Sequence, residues 1–318
     1  MKNFIVPFRL IRLLSTGAAY SGEQLGQYLE ISLSAVNQHI QTLRHWGLEI
    51  EAQTIKGYYL LSPIELLDEK KILRDLPEGR IKVLALVDST NQYLLDNIET
   101  LRSGDACVAE HQTAGRGRRG REWVSPFGQN LYLSMFWRLE KGTAAAVGLS
   151  LVIGIVITQV LRNLGGIDIR VKWPNDLYYR DKKLAGVLVE LLGEKFKPAQ
   201  VIIGMGININ NPSSNKGIEQ NWSHLKEAGI TIDRNKLTAL LLSELRSQLI
   251  EFEKTGLSTF ISKWHELDNY LNRPVKLIVG DQQIQGIARG IDQHGGLLLE
   301  TEGGIKTYQV GDISLRGR

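Results

Sequence analysis

The chain has 318 residues, 43% of them hydrophobic and 23% charged, with a formal charge of +4. That length, beyond the roughly 250 residues at which single cores stop growing, calls for two or three domains, and the balanced composition excludes a disordered or fibrous chain. The single cysteine, Cys107, excludes an intrachain disulfide, and the four arginines of "GRGRRGR" (residues 115–121) equal the whole charge excess, so the basicity is local and suggests an anionic ligand there.

The start, "MKNFIVPFRLIRLL", carries charge through its apolar stretch and has no small-residue cleavage site, so a secretory signal is not expected and a reducing cytoplasm fits. The first helical pattern, "PFRLIRLLST", ends at Gly17. In "SGEQLGQYLE", Ser21 and Gln24 have the spacing of a capping box. After the turn "ISLS", "SAVNQHIQTLRHWG" reads as a further helix capped by Ser34, with Val36, Ile40 and Leu43 as its apolar stripe. Asn37, Gln38, Gln41 and Arg44 point elsewhere, and amide and guanidinium groups suit contacts to base edges in a major groove. Two short helices and a tight turn suggest a helix-turn-helix, and "LEIEAQTIKGYYLL", with Lys56 before the second strand, suggests a wing. The alternative is a packing module without DNA affinity: residues 1–65 hold five basic and five acidic side chains. A neutral domain argues against strong non-specific binding and for dimeric recognition of a palindrome. Residues 63–80, with Pro63, Pro77 and Gly79 around a charged helix, read as a connector.

From Ile81 short β-rich runs alternate with helices, an α/β or α+β layer. "ACVAEH" places Cys107 in a buried strand. "AAAVGLSLVIGIVIT" (Ala144–Thr158) is about two-thirds of a membrane span and reads as a core helix. Four loops hold polar residues that folding alone does not require. In "DSTNQ", Ser89 or Thr90 would cap a helix, whose free N–H groups also suit a polar ligand. In "EHQTAGRGRRGREW", Gly115, Gly117 and Gly120 let the main chain approach phosphate, while Arg116, Arg118, Arg119 and Arg121 offer planar forks. The spacing matches neither a P-loop nor a Rossmann fingerprint. Phosphate capture by a lid that orders on its ligand is favoured over a solvated, RNA-binding loop. "VKWPNDLYYRDKKLAG" groups Lys172, Asn175, Asp176 and Lys183 at strand ends beside apolar residues, as in a pocket. In "GMGININ", Gly204 and Gly206 mark either close approach to a ligand or a β-bulge. The last segment, "NRPVKLIVG…SLRGR", alternates apolar and polar residues between glycine turns, five short strands of a small barrel.

The motifs "DSTN", "AGRGRRGR-W-SPFG-NLYLS", "VKWPNDLY", "KLAG-LVE" and "G-GIN" resemble those of the bifunctional biotin protein ligases and biotin operon repressors of bacteria, across essentially the whole chain. The resemblance implies an α+β multidomain chain: a winged helix-turn-helix (1–62), a linker (63–80), a mixed α/β ligase domain related to class II aminoacyl-tRNA synthetases (81–270) and an SH3-like β-barrel (271–318). It implies biotin, ATP and Mg²⁺ as ligands, biotinyl-5′-AMP as intermediate and corepressor, and a carboxyl-carrier protein, palindromic operator DNA and a second copy of the chain as partners. No protein-held metal site and no membrane are implied.

By the same resemblance Ser89, Thr90, Gln112 and Arg116 would hold the biotin head group; Asn91, Gly115, Gly117 and Asn175 are cofactor-binding candidates without an assigned role. Arg118, Arg119 and Arg121 would close over the adenylate phosphate. Lys183 would lie beside the carboxylate and α-phosphate, and Lys172 would help bind phosphate. Trp123 and Asn208 would contact adenine or its phosphate region, and Gly186, Gly204 and Gly206 are further cofactor-binding candidates. Asp176 would orient or deprotonate the acceptor lysine, and Arg316 of "SLRGR" would reach the nucleotide. The alternatives are a ligase without operator recognition and a lipoate ligase, which should show a different glycine-rich loop.

Overall fold

A computed structural model describes residues 5–53, 57–76, 78–193, 197–210, 221–311 and 313–317; Lys56 lies outside them. The N-terminal unit is α1 (Ile5–Leu14), α2 (Gly22–Leu29) and α3 (Leu33–His45), followed by the antiparallel pair β1 (Ile50–Gln53) and β2 (Gly57–Leu60). The capping box at α2 is complete: Gln24 N donates to Ser21 Oγ at 3.1 Å and Ser21 N to Gln24 Oε1 at 2.8 Å.

At α3 the capping expectation is corrected. Ser32, not Ser34, accepts the Ala35 N–H, at 3.2 Å. Of the two serines in "ISLS", only Ser32 has the extended backbone a cap needs; Ser34 is an exposed residue of the first turn. Arg44 Nε and Nη2 donate to Ile50 O at 3.1 and 2.8 Å, so its guanidinium fastens β1 to α3. Gln38 and Gln41 remain exposed on α3, while the Asn37 amide oxygen accepts from the Tyr58 hydroxyl of β2. Leu10, Ile11, Leu14, Leu25, Val36, Ile40 and Leu43 form the core of this unit, joined by Phe127 from the next one.

The segment after β2 is packed. Leu67, Ile72 and Leu76 join the central core. Asp68 caps α4 (Glu69–Arg74) by accepting from Lys70 N and Lys71 N at 2.8 and 3.1 Å.

The central strands are β3 (Ile81–Leu84), β4 (Ala106–Ala109), β5 (Leu131–Leu139), β6 (Ile169–Lys172), β7 (Asp176–Tyr179), β8 (Lys182–Leu192) and β9 (Ala199–Ile207). They form one sheet in the order β3-β4-β5-β9-β8-β7-β6, parallel only between β3 and β4. The helices are α5 (Thr90–Asp96), α6 (Leu149–Asn163), α7 (Arg234–Thr255) and α8 (Ile261–Leu267). Alternation assigns the two faces. Leu133, Met135 and Trp137 of β5 and Val201, Ile203 and Met205 of β9 point into the main core with α6 and α7. The residues between them, Phe136 and Ile202, meet Cys107 and Leu94 under α5. Cys107 is a buried strand thiol whose pKa burial pushes up. The apolar segment read as a core helix is α6, with most of its residues buried, and no helix of the described residues is long and apolar enough to cross a membrane.

β10 (Pro274–Val279), β11 (Gln282–Ile291), β12 (Leu297–Thr301), β13 (Gly304–Tyr308) and β14 (Ile313–Gly317) form the C-terminal antiparallel sheet, ordered β13-β12-β11-β10-β14. A register break between Ala288 and Ile291 bends β11. The unit is fixed to the central sheet by the Arg273–Asp181 ion pair at 2.8 Å and by Trp173 Nε1 donating to Gly295 O at 3.0 Å.

Candidate active site

The face of the sheet that carries α5 also carries the site. One cross-strand row runs Tyr132, Gly206, Gly186, Asp176 and Lys172, and the next runs Ser134, Gly204 and Leu188. The glycines are where they are because side chains lie on them. A Cβ at Gly206 would collide with the Trp123 indole, and one at Gly204 with the Asn91 amide. The strand keeps its register through both, so close approach, by this chain's own side chains, accounts for them and a bulge does not.

A bulge occurs one strand over. Pairing passes from Leu177–Ala185 to Tyr178–Lys183, leaving Leu184 as the extra residue. Simple alternation from Gly186 would turn Lys183 to the core face; the insertion brings it onto the site face, with Asp176 and Tyr178. Lys183 Nζ then lies 2.8 Å from Asp176 Oδ1, and Lys172 Nζ 3.4 Å from Asp176 Oδ2 and 3.0 Å from the Tyr178 hydroxyl. Burial alone would raise the Asp176 carboxyl, but the two ammonium groups outweigh it and hold it below its usual range. Burial lowers the Lys172 ammonium, Asp176 opposes the shift, and Arg316 and Arg121 add to it.

The other end is neutral and polar. Ser89 holds the N-cap position of α5 but makes no capping bond, and Thr90 turns its hydroxyl to Gln112 Oε1 at 3.1 Å. Thr90 N donates to the same oxygen at 2.9 Å, and Gln112 Nε2 donates to Ser125 Oγ at 3.1 Å. Capping therefore does not account for "DSTN".

Between the ends lies the arginine loop, a small hairpin. Arg116 faces Glu122, and the bonds that close it are Gly117 N to Arg121 O (2.7 Å) and Trp123 N to Gly115 O (2.9 Å). Arg118 joins two units: its Nη1 donates to Asn175 Oδ1 at 3.2 Å and its Nη2 to Gly311 O, beside β14, at 3.0 Å. Lys183 Nζ sits 5.5 Å from the centre of the Trp123 ring, and the Trp123 Nε1–H is buried with no partner among the described residues.

These groups line one cleft of about 720 Å³. Its wall includes Ser89, Thr90, Asn91, Gln112, Arg116, Gly117, Arg118, Arg119, Arg121, Trp123, Lys172, Asn175, Asp176, Lys183, Gly186, Gly204, Gly206, Asn208 and Arg316. Gly115 alone of the expected cleft residues is outside it, packed on Trp123 O and Ser125 Oγ. The DNA candidates Ser34, Asn37, Gln38, Gln41 and Arg44 lie on α3, away from the cleft wall. Sequence reasoning missed Glu122, Trp222 and Ile313–Leu315 of the wall, and Ser134, Tyr178 and Glu190 behind it. Polar residues within the apolar runs "LYLSMFW" and "VLVELL" were the available signal for Ser134 and Glu190.

Three family models match: biotin/lipoate A/B protein ligase family over residues 83–208, biotin protein ligase C terminal domain over 270–316, and an HTH domain over 8–59. The chain is 58% identical to the bifunctional ligase/repressor BirA of Escherichia coli over 317 residues, 99% of both chains. It is 31% identical to the Bacillus subtilis protein of the same description, over 93% of each. A solved structure of biotin protein ligase from Aquifex aeolicus in complex with biotin and ATP aligns with a TM-score of 0.67 at 34% identity, covering 75% of this chain and 99% of that one.

Proposed function

The chain belongs to the family of bifunctional biotin protein ligases and repressors, and from that premise we propose that it activates biotin with ATP, passes the biotinyl group to a lysine of a carboxyl-carrier protein, and represses biotin-synthesis genes through its N-terminal unit. The observation that carries this reading is the polarity of the cleft, neutral hydrogen-bonding groups at one end and cations at the other. Biotinyl-5′-AMP has the matching form: a neutral ureido ring at one end and a phosphate towards the other.

A carboxylate is a poor acylating agent. The biotin carboxylate attacks the α-phosphorus of ATP, the bond to the β-phosphate oxygen breaks, and pyrophosphate leaves with its electron pair. Lys183 neutralises the charge shared by carboxylate and α-phosphate, and Arg118, Arg119 and Arg121 close over the phosphates with Lys172 and Arg316. Ser89, Thr90 and Gln112 bind the ureido ring, and Trp123 and Asn208 flank the adenylate. The acceptor amine then attacks the acyl carbon and AMP leaves. Asp176, kept ionised by its two lysines, orients that amine and takes up its proton.

Magnesium would be carried in on ATP, where it would supply charge neutralisation on the triphosphate. Asp176 is committed to lysines, and the described residues contain no group of three or more His, Cys, Asp or Glu that could hold a metal ion.

The chain acts on DNA as a dimer. Past Val187, β8 pairs with β9 on one side only among the described residues, with Leu191 and Leu192 exposed beside that open edge. A second copy pairing there would bring two helix-turn-helix units to a palindrome, Ser34, Gln38 and Gln41 facing the groove. An ATP-dependent enzyme with one buried thiol belongs in the cytoplasm. The lipoate reading is weaker, because a ligand without a ureido group leaves the Ser89–Thr90–Gln112 end unpaired.

The test is pyrophosphate release from ATP. It should require biotin and be lost, by on the order of 10²-fold or more, in Lys183→Ala. Normal release from that variant contradicts the assignment.

A further inference from the structure

Glu190 stands in β8 two and four residues beyond Leu188 and Gly186, so alternation turns it to the site face, although it does not line the cleft. Both its oxygens accept from Arg116 Nη2 at 3.1 Å, and Oε2 also accepts from Asn91 Nδ2 at 2.7 Å. It therefore holds one residue of the arginine loop and one of α5, and both of those residues line the cleft.

The contacts continue inward. Asn91 Oδ1 lies 2.6 Å from Ser134 Oγ, which lies 2.7 Å from Thr90 Oγ1. A carboxylate only accepts, so Asn91 must give its NH₂ to Glu190 and turn its oxygen to Ser134. Ser134 directs its one proton at that amide oxygen and at Thr90 Oγ1. Thr90 gives its own to Gln112 Oε1, which the Thr90 N–H also serves. The charge on Glu190 thus fixes the direction of a chain of hydrogen bonds that ends at Thr90 and Gln112. On the loop side, the hairpin bonds of Arg116's neighbours leave its own main-chain N–H and C=O out of the ladder. With the guanidinium held on β8, those two groups are what Arg116 presents to a ligand.

We infer that Glu190 is a positioning residue for the biotin end of the cleft, fixing the Arg116 main chain through its guanidinium and the donor–acceptor order of Thr90 and Gln112 through Asn91 and Ser134. The inference rests on the ligase reading and deepens it.

The test uses the full-length chain, with KM for biotin and for ATP, kcat from pyrophosphate release, and the melting midpoint. Glu190→Ala should raise the KM for biotin by roughly tenfold, as loss of charge-assisted bonds does, and leave the KM for ATP near wild type. Glu190→Gln, equal in shape, should show a smaller rise of the same kind. In an Arg116→Ala background the effect of Glu190→Ala should shrink, because the two changes remove one shared contact. An unchanged KM for biotin overturns the inference. So does an equal rise in both KM values with a lowered midpoint, the signature of a merely structural residue. A wild-type protein without biotin-dependent pyrophosphate release would refute the ligase reading itself, and this inference with it.

Discussion

Lys183 reaches Asp176 because one residue, Leu184, is extra in its strand. The grouping of Lys172, Asn175, Asp176 and Lys183 was legible as types of residue around a proline turn. The bulge was not, since pairing register depends on a neighbouring strand that local sequence does not specify. The same reason hides what Glu190, Ser134 and Tyr178 do: the sequence shows a polar residue in each strand but not the partner that register brings to it. Gly204 and Gly206 were legible as positions of close approach, but not what approaches, because Asn91 and Trp123 come from elements about 80 or more residues away. Arg118 tests the residue scale. It ties the loop to Asn175 and Gly311, so Arg118→Gly should fold normally yet release bound adenylate about tenfold faster or more. Retention equal to wild type, measured by dilution of labelled adenylate, would reject a closing role for this arginine.

At the scale of elements, periodicity found the helices of the N-terminal unit, the core helix α6 and five C-terminal strands. What it could not supply was the contacts that join them. Trp46, at the end of α3, lies nearly parallel to the rings of His111 and Phe127 at 5.8 Å from each, and Phe127 N donates to Trp46 O at 2.8 Å. Phe127 belongs by sequence to "SPFG" of the central unit and by packing to the helix-turn-helix core. Another junction lies between α8 and β10, where Asp268 is buried. Burial raises its carboxyl from 3.8 to about 6, and His265 and Arg170 offset only part of this. Between those values the folded chain binds more protons than the unfolded one, so stability falls as pH rises through that window. Asp268→Asn keeps an acceptor for Tyr270 N, now at 2.9 Å, and removes the charge. It should stabilise the protein by on the order of 2 kcal/mol near neutral pH and by nothing below about pH 4. Chemical denaturation at the two pH values checks this; a variant no more stable than wild type at neutral pH contradicts it.

For the whole molecule, the neutral charge of residues 1–65 and the local charge of residues 115–121 divide the two tasks along the chain: a DNA-binding unit at one end, and an anion site elsewhere. Glu190 lies on a strand that supports the wall of the cleft and whose C-terminal half pairs with β9 on one side only among the described residues. Ligand-driven dimerisation follows as a prediction. Sedimentation at micromolar concentration should show monomer alone and dimer with biotinyl-5′-AMP; unchanged monomer would sink the idea. The central claim is that one cleft makes and holds a biotinyl adenylate. Incubation with ATP, Mg²⁺ and either biotin or lipoate, followed by mass analysis of the protein-bound ligand, tests it most directly. The account predicts biotinyl-5′-AMP from biotin and no adenylate from lipoate; a lipoyl adenylate, or none from biotin, would contradict it.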